Sequence, residues 1–468
     1  MISGTIAGIS SFTVYPLGEI TITRPSYYIS YTPSSASGTM WIRSTSVASS
    51  VSYQISSYNG MLKFGNSYPQ YLSFENCNWR RIETNIPMFN ESFAFARCST
   101  LQNADLYNCT SLSYTFTSCY SLSQVSLPVC EYVGDWAFSD CYSLTQVSLP
   151  MCEYVGERAF WSCYLLSQIS LPMCSYISGE AFRDCKSLSQ ISLPVCSYIG
   201  SYGFAECSSL SQISLPMCSY IGYRAFYICN RLLQVSLPMC SYIGSSAFYG
   251  CYRLSQVSLP VCSYIGSSAF QNCGSLSQVS LPVCSYIGSS AFYKCYSLSQ
   301  VSLPLCEYVG DQAFFDCSSL SQVNLSVCSY IGSSVFESCY SLSQVSLPMC
   351  EYIGKYAFLR CSSLLQVNLP MCSYIDVSAF FDCDSLSQVS LSVCSYIGQS
   401  AFWYCYSLST IILGYSSVCS LYDYYVLSNT GITSSTGSIY VPASLVSAYK
   451  SANGWWQYSA IIQSYPGL

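Results

Sequence analysis

The chain has 468 residues, of which 51% are hydrophobic and only 8% are charged, and its formal net charge is −6. No run of 18 apolar residues occurs, so we expect no transmembrane helix, and without a basic stretch we do not expect nucleic acid as a partner. The N-terminus lacks a positively charged segment followed by a long apolar core, so the sequence predicts no secretory signal.

Residues 1–65 do not repeat, but four short segments in them alternate apolar and polar side chains, as strands with one buried face do. These segments are residues 11–15, 19–23, 27–31 and 39–43. We interpret residues 1–65 as a small β-rich module or an attachment segment, and a simple N-terminal cap is the alternative. Residues 66–120 match the following repeat irregularly and are interpreted as degenerate repeats, which are expected at the end of an array.

Residues 121–406 contain thirteen copies of one 22-residue sequence repeat. In the copy that begins at Ser143, the recurring apolar positions are Leu144, Val147, Leu149, Val155, Ala159 and Phe160. A single copy buries too few side chains to offset the conformational entropy that is lost when its backbone is ordered. Stacked copies cover each other's open faces, so the fixed period predicts a solenoid.

The order of residues within a copy predicts its local structure. Leu144-x-x-Val147-x-Leu149 indicates a short strand, and Pro150 ends it because proline cannot donate to a strand ladder. Gly156 then permits a turn before Ala-Phe. We therefore expect about thirteen regular coils and about two degenerate ones, with one short parallel strand per coil.

Thirty-one cysteines are present, and one occurs at every eleventh residue from Cys130 to Cys405. Stacking places them in two ladders whose neighbouring Cβ atoms run parallel at about 4.8 Å, farther apart than the ~3.8 Å typical of a disulfide. We expect buried free thiols, and some disulfides or a metal site are the alternatives. Zinc has little support, since the chain has no histidine and no Cys-x-x-Cys pair. No cofactor is predicted.

Residues 407–468 are predicted to form a C-terminal α/β cap. Residues 407–413 and 439–441 have the pattern of short strands, and Pro442 suits the start of a helix that would extend to Lys450. The bulky residues that follow are expected to cover the open end of the core: Trp455, Trp456, Tyr458, Ile461 and Ile462.

The phrase Leu-x-x-Val-x-Leu-Pro-x-Cys-x-x-Ile-Gly-x-x-Ala-Phe-x-x-Cys resembles the BspA-type leucine-rich repeat, strongly over residues 121–406 and weakly over about 70–120. The resemblance implies a short parallel strand in each turn and a less regular opposite side. It also implies a microbial surface protein, several members of the family being adhesins. The chain departs from the family pattern by having two cysteines per repeat. The cysteine of Leu-Pro-x-Cys stands where many such repeats have an asparagine that binds the loop, so its thiol is expected to bond to the backbone.

The copies differ mainly at four places, which we call turn positions one to four: two follow the Gly and two follow the Phe. Over thirteen copies these positions hold 12 aromatic and 16 charged residues. Drift at exposed sites is one explanation, but Tyr, Trp and Arg on a Ser-rich background are typical of binding surfaces. The candidate ligand-binding residues are Trp136, Arg158, Trp161, Arg183, Tyr202, Tyr223, Arg224, Tyr227, Tyr249, Tyr293, Phe315, Tyr356, Arg360, Phe381, Trp403 and Tyr404.

These patterns favour a non-enzymatic recognition protein or adhesin that binds a protein or glycan on a cell surface, without membrane insertion. An enzyme is not expected, because the chain has no histidine and no glycine-rich phosphate loop. A passive spacer or fibre component, such as part of a phage tail fibre, is the alternative. The expected location is extracellular, on a cell surface or on a virion. Cytoplasmic synthesis with free thiols would fit the absent signal.

Overall fold

The computed structural model describes residues 95–414, 417–423, 425–433 and 437–465 in full and, before residue 95, only the strands named below. The chain forms a parallel-strand solenoid of about 16 coils with little helix, which confirms the predicted fold class. It consists of two compact units, Met1–Leu232 and Leu233–Leu468.

In the first unit, the predicted strand of each regular coil has the sequence Gln-Val/Ile-Ser, and we call these the Gln strands. Their bounds are Gln124–Ser126, Gln146–Ser148, Gln168–Ser170, Gln190–Ser192 and Gln212–Ser214. Each coil also contains a second strand of two residues, which we call the Tyr strand. These strands are Tyr132–Val133, Tyr154–Val155, Tyr176–Ile177, Tyr198–Ile199 and Tyr220–Ile221.

Parallel pairing in the first unit begins before the regular repeats. The strands Ile2–Gly4 and Phe12–Val14 pair antiparallel, but Glu19–Ile22 pairs in parallel with Thr39–Ser44 at a spacing of about one coil. The other strands before Gln124 are Tyr28–Tyr31, Val51–Ile55, Met61–Phe64, Leu72–Ser73, Arg81–Thr84, Asn103–Leu106 and Ser111–Leu112. The division of this region at residue 65 stays a prediction, and residues 66–94 lie outside the described residues except for their strands.

The second unit repeats the same two kinds of strand. Its Gln strands are Gln234–Ser236, Gln256–Ser258, Gln278–Ser280, Gln300–Ser302, Gln322–Asn324, Gln344–Ser346, Gln366–Asn368 and Gln388–Leu391. Its Tyr strands are Tyr242–Ile243, Tyr264–Ile265, Tyr286–Ile287, Tyr308–Val309, Tyr330–Ile331, Tyr352–Ile353, Tyr374–Ile375 and Tyr396–Ile397.

The C-terminal segment adds Thr410–Leu413, Ser420–Leu421, Ser438–Val441 and Ile462–Ser464 as strands. The predicted helix after Pro442 consists of a 3-10 turn, Ala443–Leu445, and an α-helix, Val446–Ser451. Two more 3-10 turns are Gly431–Thr433 and Trp456–Tyr458. Trp455, Tyr458 and Ile462 are buried, whereas Trp456 is 63% exposed and does not cover the core. Among the described residues, no helix has the length and apolar character needed to cross a bilayer.

The core consists of one row of side chains for each apolar position of the repeat. The phenylalanine rings are fully buried and stack on the next coil at 5.0–5.5 Å within the first unit, from Phe95 to Phe226. The rings of the Tyr strands stack in a second row at 4.4–5.3 Å from Tyr132 to Tyr220. Both rows fix the register of one coil on the next, so the turn positions of neighbouring coils lie side by side.

The two cysteines of a coil have different backbone partners. Cys152 donates to its own coil, at the carbonyl of Tyr154 (3.3 Å), while Cys163 donates to the carbonyl of Phe138 in the preceding coil (3.2 Å). The expected bond from the Leu-Pro-x-Cys thiol to backbone is therefore present. All 30 cysteines of the described residues are buried and none is in a disulfide. Burial raises the pKa of Cys119 and Cys218 to about 12, so the reactive thiolate is disfavoured.

Candidate functional site: the turn surface

The turn positions form a hydrogen-bonded ladder, although they belong to no strand. In one coil, Trp136 N–H donates to the carbonyl of Glu157 (2.8 Å), Phe138 N–H to that of Ala159 (2.7 Å) and Asp140 N–H to that of Trp161 (2.9 Å). This ladder holds the backbone of each turn against the next, so the side chains at the turn positions project from a fixed frame.

A left-handed backbone accompanies this ladder. The second and fourth turn positions have positive φ in all thirteen copies, for example 56° at Trp136 and 59° at Asp140. A positive φ costs a non-glycine residue about 1–2 kcal/mol, but less for Asp and Asn. The fourth position accordingly holds an Asp, Asn or Gly in six copies: Asp140, Asp184, Gly250, Asn272, Asp316 and Asp382.

None of the sixteen candidate residues is in the interior. Tyr223 and Arg360 are exposed, and the other fourteen are half-buried: Trp136, Arg158, Trp161, Arg183, Tyr202, Arg224, Tyr227, Tyr249, Tyr293, Phe315, Tyr356, Phe381, Trp403 and Tyr404. They are not one continuous row of rings, because the third turn position holds a non-aromatic residue in six of the thirteen copies. Their ligand-binding role stays a prediction.

The first unit brings eight of them into one assembly, which we call the arginine–aromatic cluster. Its members are Trp136, Arg158, Trp161, Glu180, Arg183, Tyr202, Glu206, Tyr223, Arg224 and Tyr227. At one end of the cluster, the Arg158 guanidinium lies 4.6 Å from the centroid of the Trp136 ring and 5.8 Å from the centroid of the Trp161 ring. The two tryptophan rings meet edge to face at 5.8 Å.

Glutamates join the first two arginines of the cluster. Glu180 accepts from Arg158 Nη2 at 2.8 Å and from Arg183 Nη1 at 3.2 Å, and Arg183 Nη2 lies 3.4 Å from Glu206. Burial alone would raise the pKa of Glu180, but the hydrogen bond and charge of Arg158, with the charge of Arg183, outweigh it and lower that pKa. Two of the predicted ligand-binding arginines are therefore already paired within the protein.

The third arginine has a different environment. Arg224 Nη1 donates to the hydroxyl of Tyr202 (3.0 Å), and its guanidinium lies 5.0 Å from the ring of Tyr223 and 4.9 Å from that of Tyr227. The Arg183 guanidinium also lies over the Tyr202 ring, 5.1 Å from its centroid. In the described part of the chain no carboxylate is within ion-pair distance of Arg224, and its Nε is buried without a hydrogen-bond partner.

The candidates in the second unit form smaller groups. Tyr293 stacks on Phe315 at 4.7 Å, and Lys355 Nζ lies 4.7 Å from the centroid of the Tyr356 ring. Arg360 is 3.8 Å from Asp382. Near the C-terminus, Trp403 packs against three other rings: Phe381, Tyr404 and Tyr425. The remaining candidate, Tyr249, lies half-buried at the third turn position of its coil.

The sequence did not predict one row of stacked rings, of which Tyr120 and Tyr142 are exposed and Tyr164 is half-buried. Tyr120, Tyr142 and Tyr164 directly follow the second cysteine of their coils and stack at 5.1 Å, and Lys186 Nζ lies 4.8 Å from the ring of Tyr164. The residue after the second cysteine also varies between copies, and this variation could have identified the row from the sequence. Among the described residues no group of three or more His, Cys, Asp or Glu side chains is arranged to hold a metal.

Comparisons with known proteins agree with this fold. The family description "BspA type Leucine rich repeat region" matches residues 63–145, 110–232, 153–277, 219–343 and 329–452. A leucine-rich repeat protein from Bacteroides ovatus is 25% identical over 70% of this chain and 82% of its own, with a TM-score of 0.53. A leucine rich cell surface protein from Faecalibacterium prausnitzii is 18% identical over 89% of this chain and 96% of its own, with a TM-score of 0.32.

A leucine-rich repeat protein from T. pallidum is 28% identical over 42% of this chain and 82% of its own, with a TM-score of 0.29. No curated protein sequence matches the chain significantly. The family matches cover most of the sequence, from residue 63 to residue 452, and confirm the resemblance seen in the repeat motif. The chain belongs to the BspA-type leucine-rich repeat family.

Proposed function

We propose that this chain is a non-enzymatic recognition protein of the adhesin type, which binds a protein or glycan through the arginine–aromatic cluster. The supporting observation is that Trp, Tyr and Arg side chains from successive coils are gathered into one assembly, half-buried except for the exposed Tyr223. Aromatic residues and arginine dominate the energetics of most protein interfaces. Proteins of this family are generally surface or binding proteins.

The cluster is held in place before any ligand arrives. The ion pairs of Glu180 fix Arg158 and Arg183, and the rings on both sides restrict the guanidinium groups. A side chain that is already ordered loses less entropy on binding, which improves affinity. Arg224 has no carboxylate partner among the described residues, so its charge is available to a ligand, beside the 40% exposed ring of Tyr223.

The proposed setting is a cell surface, the extracellular space or a virion. A cell-surface location is typical of BspA-like leucine-rich repeat proteins. Synthesis in the cytoplasm with reduced thiols fits the buried, backbone-bonded cysteines of both ladders.

A passive spacer is the second candidate, and one observation in the second unit favours it. Three successive coils there have Ser-Ser at the first two turn positions, at residues 245–246, 267–268 and 289–290. The first two turn positions of these coils have no charged or aromatic group, so they lack the side chains that form the arginine–aromatic cluster in the first unit. Both roles can coexist in one chain if the first unit binds and the second serves as the spacer.

The double variant Tyr223→Ser/Arg224→Ser tests the proposal. It converts this turn into the Ser-Ser turn of other coils, where Ser adopts the same positive φ, so folding should be preserved. The matched control is Lys355→Ser/Tyr356→Ser, which removes a similar cation–ring pair outside the cluster. The measurement is binding to a printed glycan array and to immobilised extracellular-matrix proteins.

We expect the cluster variant to bind at least about tenfold more weakly, a loss of about 1.4 kcal/mol. The control should bind like the natural chain. Equal binding by all three proteins would refute the cluster as the site, and the absence of binding by the natural chain to either surface would favour the spacer.

A further inference from the structure

A groove of about 1080 Å³ runs across the Gln strands of the second unit, on different residues from the turn surface. It spans five coils, and its lining consists mainly of Gln, Val, Ser and Asn side chains. The lining residues that project from the strands are Gln278, Ser280, Gln300, Ser302, Gln322, Asn324, Gln344, Ser346, Gln366 and Asn368. No charged side chain lines this groove.

Four of the five glutamines of this groove, Gln278, Gln300, Gln322 and Gln344, form a regular ladder. Strand pairing aligns Gln278 with Gln300, Gln300 with Gln322, and Gln322 with Gln344, so one amide is presented per coil at the ~4.8 Å spacing of neighbouring strands. All five side chains are exposed. None of these amides has a hydrogen-bond partner among the described residues, so their donors and acceptors face the groove's solvent.

This glutamine does not vary between the copies, although its side chain is exposed in twelve of the thirteen. It is present in all thirteen copies, from Gln124 to Gln388, whereas the turn positions of the same copies have diverged. The buried Leu, Val, Phe and Cys positions are kept by packing, but nothing in the interior depends on the glutamine amide. We infer that a requirement outside the fold keeps it.

The chemistry of the ladder indicates the partner. An amide both donates and accepts hydrogen bonds, so it can bind hydroxyl groups. The groove has no charged side chain that could form an ion pair with a charged polymer. An extended polypeptide advances about 3.4 Å per residue and would fall out of step with the coils. We propose that this groove binds an extended neutral polysaccharide, whose repeated hydroxyl groups are matched by the repeated amides.

The triple variant Gln300→Ala/Gln322→Ala/Gln344→Ala tests this site. The matched control, Ser267→Ala/Ser289→Ala/Ser333→Ala, removes three polar groups from the turns of the same unit. Native gels that contain hydroxyethylcellulose, galactomannan or laminarin measure binding as slower migration, and polygalacturonate and gelatin serve as the acidic-glycan and polypeptide probes. Circular dichroism and thermal unfolding verify that each variant is folded.

We expect at least one neutral polysaccharide to retard the natural chain and the serine control equally. The glutamine variant should bind that polymer at least about fivefold more weakly. The proposal is overturned if no neutral polymer retards the natural chain, if only polygalacturonate or gelatin does, or if the glutamine variant is retarded like the control. Because the arginine–aromatic cluster is unchanged in all of these proteins, failure here leaves the proposed turn site standing.

Discussion

The fourth turn position shows how backbone conformation limits the choice of residue. Its charged residues were counted as a sign of recognition in the sequence, but four of them are aspartates at a positive φ, where Asp is tolerated better than most residues. The sequence could identify this position as variable. It could not separate variation that serves binding from variation that suits a left-handed turn, because φ is not visible in a list of residues.

Ile228 provides a direct test of this backbone effect. It is a β-branched residue at a φ of 57°, where such side chains are strained. We expect Ile228→Asn to raise the free energy of unfolding by about 1 kcal/mol, since Asn adopts this conformation more easily. The reciprocal change Asn272→Ile, at a φ of 63°, should lower it by a similar amount. Urea titration measures both, and a loss of stability in the first variant or a gain in the second would contradict the role assigned to φ.

At the scale of the element, the glycine of Ile-Gly has a role other than the predicted one. Gly266 does not have a positive φ. A Cβ at this position would lie 2.5 Å from the backbone nitrogen of Ser245 and 2.7 Å from the carbonyl carbon of Gly244, both in the preceding coil. At Gly266 the glycine therefore allows the close approach of two coils, which the sequence of one copy cannot show. Ser178 and Asp376 occupy the equivalent position in two other copies.

Gly266→Ala should consequently force two coils apart and lower the free energy of unfolding by about 1–3 kcal/mol, as overpacking does. Gly274→Ala is the control, because its Cβ would meet only a tyrosine ring atom at 3.5 Å. That control should change stability by less than about 0.5 kcal/mol. Comparable losses for both variants, measured by urea titration, would show that intrinsic glycine flexibility and not coil contact is responsible.

The strands were predicted in part. The Gln strand follows from Leu-x-x-Val-x-Leu and the proline after it, and the structure places a strand there in every regular copy. The two-residue Tyr strand was not predicted, since Tyr-Ile is too short to show a period of two. The Tyr strand forms only when coils stack, because the backbone of each tyrosine pairs with that of the equivalent tyrosine in the next coil, as Tyr132 does with Tyr154.

For the whole molecule, the repeat period was sufficient to predict the solenoid. Parallel strand pairing, however, extends beyond the residues that match the repeat motif. Parallel pairing already joins Glu19–Ile22 to Thr39–Ser44, where the consensus residues are absent. Backbone pairing needs no particular side chain, so a coil can persist after its motif has disappeared. The sequence located the candidate residues on the turns, yet Glu180 and Glu206 were not foreseen, because ion pairs between coils depend on geometry that one copy does not contain.

The central claim is that stacked 22-residue coils form the fold and that the arginine–aromatic cluster of the first unit binds the ligand. Deletion of one complete coil tests this claim most directly. Removing residues 256–277 joins equivalent points of two coils, whereas removing residues 256–266 takes out half a coil and breaks the register. We predict that the 22-residue deletion unfolds cooperatively and binds the same array ligands as the natural chain, while the 11-residue deletion is markedly destabilised. Equal tolerance of both deletions, or loss of ligand binding in the 22-residue deletion, would contradict the account.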